Sequence, residues 1–198
     1  GLVLKIFGRW DELLKLQPAH QGTPYLDGIW SYARGSACLA KSDRACALLE
    51  LAKLKAIAEA PDSDEYRVGA TPVSAVLRLA AHGLEGEVLI SDGDLSGAIS
   101  AFKSGIAIED QNNYTEPPDW AQPMRHYLGA ALLKAGRPEE AEAVYRRDLR
   151  WNQNNGWSLF GLPQALSLQG KETEAMEVHS RWRRAWAFSD VELAASHF

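Results

Sequence analysis

Hydrophobic positions along this chain recur at intervals of three and four residues, the spacing of one face of an α-helix. In the segment 139–149, the apolar positions at this spacing are Ala141, Val144, Tyr145 and Leu149. The segment 45–60 carries the same kind of stripe. Alternating runs of β-branched residues bounded by turn residues, which are typical of strands, are scarce. The pattern therefore predicts an all-α fold.

Short breaks that contain glycine divide the predicted helices. They lie at residues 92–94, 135–138 and 169–171. Glycine ends a helix readily because it adopts a positive φ at no steric cost. Pro138, directly after one break, suits the first turn of a helix, where amide groups have no intrahelical acceptor. We expect the chain to reverse at these breaks and to form antiparallel helix pairs.

A frame of four positions repeats along the chain: a small residue, a turn residue, a small residue and a large residue, at successive spacings of 7, 5 and 4. The copies are Gly35, Ser42, Ala47 and Leu51; Gly86, Gly93, Ala98 and Phe102; Gly129, Gly136, Ala141 and Tyr145; and, most loosely, Pro163, Gly170, Ala175 and His179. The first small residue lets the second helix approach closely, and the second lies at the helix crossing. We expect the large residue to fill the gap toward the next pair.

With a step of 34 residues between its last two copies, this frame resembles the tetratricopeptide repeat. The resemblance covers about residues 25–187 and is strongest from Tyr127 to Tyr145. It implies an α-solenoid, in which stacked antiparallel helix pairs form a right-handed superhelix. The segments 116–125 and 155–157 also look like the C-terminal part of large bacterial tetratricopeptide proteins of unassigned function.

We predict one domain over residues 1–198. Its expected parts are, in chain order, a truncated N-terminal repeat at 1–24, four repeats at 25–187 with insertions at 62–78 and 113–121, and a C-terminal cap at 188–198. An apolar stripe from Val73 predicts that the first insertion lengthens a helix, and Pro117 and Pro118 predict a rigid loop in the second. Because ends of a solenoid need polar caps, the apolar start suggests a fragment of a longer protein, or self-association through this end.

Charge and cysteine content narrow the classes of partner and location. A net charge of -5 argues against a nucleic-acid partner. The sequence shows neither a membrane-spanning stretch nor a signal-peptide pattern, so we expect a cytoplasmic protein without membrane contact. Cys38 and Cys46 flank one predicted turn and are close enough in sequence to meet across the helix pair. We expect them to be small thiols that pack like alanine, in agreement with a reducing compartment.

Motifs for chemistry are absent from the sequence. The five histidines show no pair at helical metal-binding spacing, and the acidic clusters lack the spacing of a calcium loop. No phosphate-binding loop or paired-cysteine motif occurs. The sequence therefore predicts no enzyme, no cofactor, no catalytic residue and no metal site.

The tetratricopeptide resemblance implies that the first helix of each pair lines a concave binding face. The candidate contact residues on these helices are Tyr32, Glu87, His126, Trp157, Phe160 and Gln164. We expect Trp120 and Arg125 to reach the same face from the preceding loop. Aromatic and arginine side chains contribute strongly to binding at interfaces; the alternative is that these aromatics fill the space between repeats. The predicted function is a non-catalytic scaffold that binds a peptide segment or a partner domain. The alternative is an assembly or substrate-holding module of a larger bacterial protein. An enzyme or a metal-binding protein is the least favoured of the three functions.

Overall fold

The computed structural model describes residues 1–17, 22–112 and 118–197. These residues form ten α-helices, which confirms the all-α expectation. The helices are α1 (Leu2–Ile6), α2 (Trp10–Lys15), α3 (Pro24–Ala40), α4 (Arg44–Glu59), α5 (Val73–Ser91), α6 (Leu95–Glu109), α7 (Met124–Lys134), α8 (Pro138–Trp151), α9 (Gly156–Ser167) and α10 (Glu172–Ala185). Most of the second predicted insertion, including Pro117, lies outside the described residues.

Five turns of one geometry join these helices in pairs. The turn residue has a left-handed φ in each: 63° at Gly8, 60° at Ser42, 81° at Gly93, 69° at Gly136 and 73° at Gly170. In every turn the next amide donates to the carbonyl five residues earlier, at 2.8–3.0 Å, as Asp94 does to Leu89. This is the Schellman arrangement, which satisfies carbonyls at a helix end. The structure thus confirms the predicted reversals, and the turn at Gly8 lies in the segment 1–24, where the sequence predicts a truncated N-terminal repeat.

The chain divides into two compact units, Gly1–Gln122 and Pro123–Phe198. In the first unit, α3 packs against α4 and α5, α4 packs against α5, and α5 packs against α6, while α1 and α2 pack against α3. In the second unit, α7 packs against α8 and α9, α8 packs against α9, and α9 packs against α10. Within each unit, a first helix therefore contacts both helices of the preceding pair.

In the second and third copies, the small and large positions of the frame meet inside the helix pair. A Cβ atom on Gly86 would overlap the Phe102 ring, and one on Gly129 would overlap the Tyr145 ring. The Tyr145 ring also leaves no room for a Cβ atom on Gly161, in the first helix of the next pair. Tyr145 thus fills the gap between successive pairs, as expected. Two copies depart from this contact: Gly35 lies against Leu84 of α5 and not against Leu51, and His179 of the last copy is exposed.

The first insertion contains a hairpin that the sequence pattern did not predict. A 3-10 turn at Pro61–Asp64 leads into two short antiparallel strands, β1 (Arg67–Val68) and β2 (Thr71–Pro72). The predicted lengthening of a helix is confirmed from Val73, where α5 begins. Thr71 Oγ1 donates to Asp119 Oδ2 at 2.7 Å, so the hairpin is bonded to the described end of the second insertion.

The expectation of two free thiols is wrong. Cys38, near the end of α3, and Cys46, near the start of α4, form a disulfide with a Cα–Cα distance of 5.8 Å. The shared turn at Ser42 brings both residues to the same end of the helix pair. The cysteines therefore no longer support a reducing compartment.

Candidate functional site

The eight candidate contact residues fall into two groups, one in each compact unit. The first unit holds Tyr32, Glu87 and Trp120; the second holds Arg125, His126, Trp157, Phe160 and Gln164. Each group is described separately below.

The aromatic candidates of the first unit belong to its core. Tyr32 is fully buried, Trp120 is 5% exposed, and their ring centroids lie 5.3 Å apart. A partner on the surface does not reach either ring in this structure. The packing alternative therefore applies to both, and the expectation that they line an accessible face is corrected.

Glu87 binds a buried cation of the same chain. Lys5 Nζ lies 2.9 Å from Glu87 Oε1, and Ser36 Oγ donates to Glu87 Oε2 at 2.5 Å. The ammonium also lies 4.8 Å from the centroid of the Tyr32 ring. This pair joins α1, α3 and α5, so Glu87 serves internal packing in this structure. The sequence analysis did not single out Lys5, because a lone lysine in a short apolar segment gives no local signal for a partner 82 residues away.

His126 is buried in a polar network centred on Asp148. Asp148 Oδ2 accepts from Ser158 Oγ at 2.6 Å and from Asn155 Nδ2 at 3.1 Å. Asn155 Oδ1 accepts a hydrogen bond from the Trp157 amide, which fixes the orientation of the Asn155 side-chain amide. In this orientation Asn155 Nδ2 also lies 2.6 Å from His126 Nε2. His126 Nε2 also lies 3.6 Å from Asp148 Oδ2, so the imidazole contacts both Asn155 and Asp148.

The Asp148 carboxyl is kept ionised by its neighbours. Burial raises its pKa, but hydrogen bonds from His126, Ser158 and Asn152 outweigh burial and hold that pKa below its usual range. Ser158 is fully buried and donates a hydrogen bond to Asp148, whereas a serine nucleophile needs a base and an open approach. The network therefore joins α7, α8 and α9 and does not form a nucleophilic site.

The inward position of Tyr32 and His126 had a signal in the sequence. Tyr32 precedes Gly35 by three residues, and His126 precedes Gly129 by three. Residues three apart share one face of a helix. Since Gly129 faces Tyr145 of the second helix, the frame itself directs His126 inward.

The remaining candidates form a partly exposed stripe on α9. Trp157, Phe160 and Gln164 follow at spacings of three and four, and Gln164 is exposed. Trp157 packs edge-on against Trp186, with centroids 5.5 Å apart, and Phe160 packs against Trp182 at 5.4 Å. Both stripe aromatics are half-buried, as is Arg125 on α7. They retain surface for a contact outside the unit.

The chain after α10 folds back along the second unit and contacts α7 and α8. We call residues 187–197 the C-terminal segment. Trp186 Nε1 donates to the Val191 carbonyl at 2.8 Å. Ser196 Oγ donates to the His126 carbonyl at 2.8 Å and lies 2.7 Å from the Tyr145 hydroxyl. This segment covers part of α7, at the position of the predicted C-terminal cap.

Comparisons with known proteins identify no family. No protein-family model matches the chain, and no curated protein matches it in sequence. Over the described ranges, no helix is long and apolar enough to cross a bilayer. The same ranges contain no group of three histidine, cysteine or acidic side chains placed to hold a metal ion.

Proposed function

We propose that this chain is a tetratricopeptide-like repeat protein, with its helix pairs stacked as a right-handed α-solenoid. Two features support the proposal: five turns of one geometry, and the same pattern of helix neighbours inside each compact unit. Repeats that bury a shared core between neighbouring pairs have this pattern.

We further propose that the chain is a non-catalytic scaffold that binds an extended peptide segment or a partner domain on its first helices. The observation that carries this proposal is the partly exposed stripe of Trp157, Phe160 and Gln164 on α9. Rigid aromatic groups give large contact areas at a small entropic cost, and a neighbouring glutamine supplies hydrogen bonds to a peptide backbone. Arg125, on the neighbouring α7, adds a positive charge.

A phage-displayed library of random peptides tests this function without a known partner. Enriched peptides are measured by fluorescence polarisation against the wild type and against Trp157→Ala and Phe160→Ala. We expect each substitution to weaken binding about tenfold. The matched control is Trp151→Ala, which removes a tryptophan that is 73% exposed on the second helix α8. A library without enriched peptides, or an equal loss in the control, would contradict the proposal.

The disulfide bears on where such a scaffold works. Stable disulfides persist mainly in oxidising compartments and are rare in the cytosol of mesophiles. The Cys38–Cys46 bond therefore favours an oxidising compartment over the cytoplasm that the sequence suggested. The intact mass of protein isolated from its native cells, after rapid alkylation, tests this: two alkyl groups per chain would contradict it.

A further inference from the structure

We infer that the C-terminal segment is a ligand of α7 and α9 held in the same chain, and that an incoming peptide competes with it. This inference rests on the proposed function, because it concerns the same first helices of the second unit. It also specifies the chemistry of the partner: a segment that carries a small hydroxyl residue followed by a planar ring.

The segment begins beside the aromatic stripe of α9. Trp186 packs on Trp157 and lies so close to Gly156 that a Cβ atom there would overlap its ring. The bond from its indole to the Val191 carbonyl then sets the direction of the chain that follows. By Ser196 the segment has reached α7. It therefore crosses from one first helix to another, the path expected of an extended peptide ligand.

The hydroxyl subsite is built by Tyr145, which comes from the second helix α8. Its ring lies against Gly129 of α7 and Gly161 of α9, and its hydroxyl is among the atoms nearest to both. The missing Cβ atoms of these glycines thus let a side chain of α8 reach between the two first helices. Ser196 donates its proton to the His126 carbonyl, so the Tyr145 hydroxyl is the donor to Ser196. Ser196 is 2% exposed, and both of its bonds are made inside the unit.

The ring subsite is the face of Tyr127. The His197 imidazole stacks on it with centroids 4.8 Å apart and planes 20° apart. A histidine or an aromatic residue fits this position, because stacking needs a flat face of similar size. Together, the two subsites select a serine followed by a planar side chain.

Displacement of the segment leaves the helix pairs in place. The residues from Ser189 to Ala195 form no helix or strand, and Glu192 and Ala194 are exposed. The described bonds of the segment to α7 and α8 converge on Ser196 and His197. Segments outside helices and strands open at a free energy well below that of global unfolding.

Exchange of a free peptide for the attached segment tests the inference. The probe is a fluorescent synthetic peptide of residues 187–198, added to the wild-type chain of 198 residues and to its Ser196→Arg variant. Arginine does not fit at a buried serine, so the variant releases its own segment and exposes the subsites. We expect the probe to bind the variant at least about tenfold more tightly than the wild type. A probe that itself carries arginine in place of serine is the matched control and should not bind.

Hydrogen exchange measured by mass spectrometry reports on both parts of the molecule. We expect faster exchange in residues 187–197 of the variant, with unchanged protection in α7, α8, α9 and α10. If Ser196→Arg also loosens the helices, Ser196→Ala serves instead, because it removes both hydrogen bonds and adds no bulk. Loss of helix protection together with the segment in Ser196→Ala would overturn the inference, since the segment would then be an integral part of the core.

Two binding outcomes also overturn the inference: equal affinity of the probe for wild type and variant, and absence of binding to a variant whose helices stay protected. The proposed function fails separately, when peptides from the library bind without dependence on Trp157 and Phe160. If the inference fails and the proposed function holds, the C-terminal segment is a fixed cap and α9 alone binds peptides.

Discussion

Phe102 lies against Gly86 so closely that a Cβ atom on Gly86 would overlap the Phe102 ring. The two residues are the first and last positions of one copy of the frame. Gly129 and Tyr145, at the same positions of the next copy, stand in the same relationship. In these two copies, the spacing of 7, 5 and 4 therefore corresponds to a contact across a helix pair that turns through a left-handed residue.

We predict that Gly86→Ala destabilises the protein despite its helix propensity. Alanine in a helix interior gains about 1 kcal/mol over glycine. Overpacking against a buried ring costs about 1–3 kcal/mol. We expect a net loss of about 1 kcal/mol in the free energy of unfolding, measured by urea denaturation.

The Phe102→Leu substitution supplies the control for this effect. Leucine shortens the side chain and makes room for the new methyl group. We expect the double variant Gly86→Ala, Phe102→Leu to lose less stability than the two single losses combined. Simple additivity in this cycle would show that the contact does not determine the cost.

The sequence predicts the turns and the close contacts of this fold because they are local. All members of one frame copy lie within 17 consecutive residues, so each copy is visible as a pattern. Lys5 and Glu87 are 82 residues apart, and no local pattern pairs them. For the same reason, the bond between Thr71 and Asp119 and the site of Ser196 on α7 were not predicted.

The candidate site was predicted less well than the fold, for a geometric reason. Assignment to a first helix does not fix the direction of a side chain, because each residue turns the helix by about 100°. Arg125 keeps exposed surface, whereas the next residue, His126, is buried. The frame glycine Gly129 marks the inward face of α7, and His126 shares that face, whereas Arg125 does not.

We expect the ion pair of Lys5 and Glu87 to hold α1 against α3 and α5. Removal of one member of a buried ion pair typically costs about 3–5 kcal/mol, because the other charge stays buried. We predict that Glu87→Gln lowers the free energy of unfolding by about 3 kcal/mol in urea denaturation. Glu12→Gln is the matched control, because Glu12 pairs with Arg9 at the surface and its loss should cost about 0.5 kcal/mol. Equal effects of the two substitutions would contradict the buried pairing.

The disulfide gives a prediction that depends on the redox state. The cross-link closes a short loop between residues eight apart in sequence. Loop-closure entropy for such a loop corresponds to about 2.5 kcal/mol. We expect a reducing agent to lower the urea midpoint of the wild type and to leave the Cys38→Ala, Cys46→Ala variant unchanged. Two reactive thiols per chain in unfolded protein purified without a reducing agent would contradict the bond.

Glu142 predicts how the stability of the second unit depends on pH. Its carboxylate accepts from Lys171 Nζ and Arg146 Nε, each at 2.7 Å, and from Gln169 Nε2 at 2.8 Å. Partial burial raises the pKa of Glu142, but the three hydrogen bonds outweigh it and lower that pKa to about 2. The bonds join α8 to the turn between α9 and α10, so ionisation of Glu142 is linked to helix packing.

The direction of the pH dependence follows from the lowered pKa of Glu142. The unfolded chain binds a proton at Glu142 near pH 4.5, whereas the folded chain binds it only near pH 2. The contribution of Glu142 is therefore complete above about pH 5 and is lost as the pH falls toward 2. Because both cationic partners are partly exposed, we expect this contribution to be about 2 kcal/mol.

In urea denaturation between pH 6 and pH 2, Glu142→Gln should be less stable than the wild type at pH 6 and should approach the wild type at pH 2. The matched control is Glu139→Gln, which removes the same charge from an exposed position of α8 and should follow the wild-type curve. A constant difference between Glu142→Gln and wild type at every pH would show that the carboxylate contributes through packing and not through its charge.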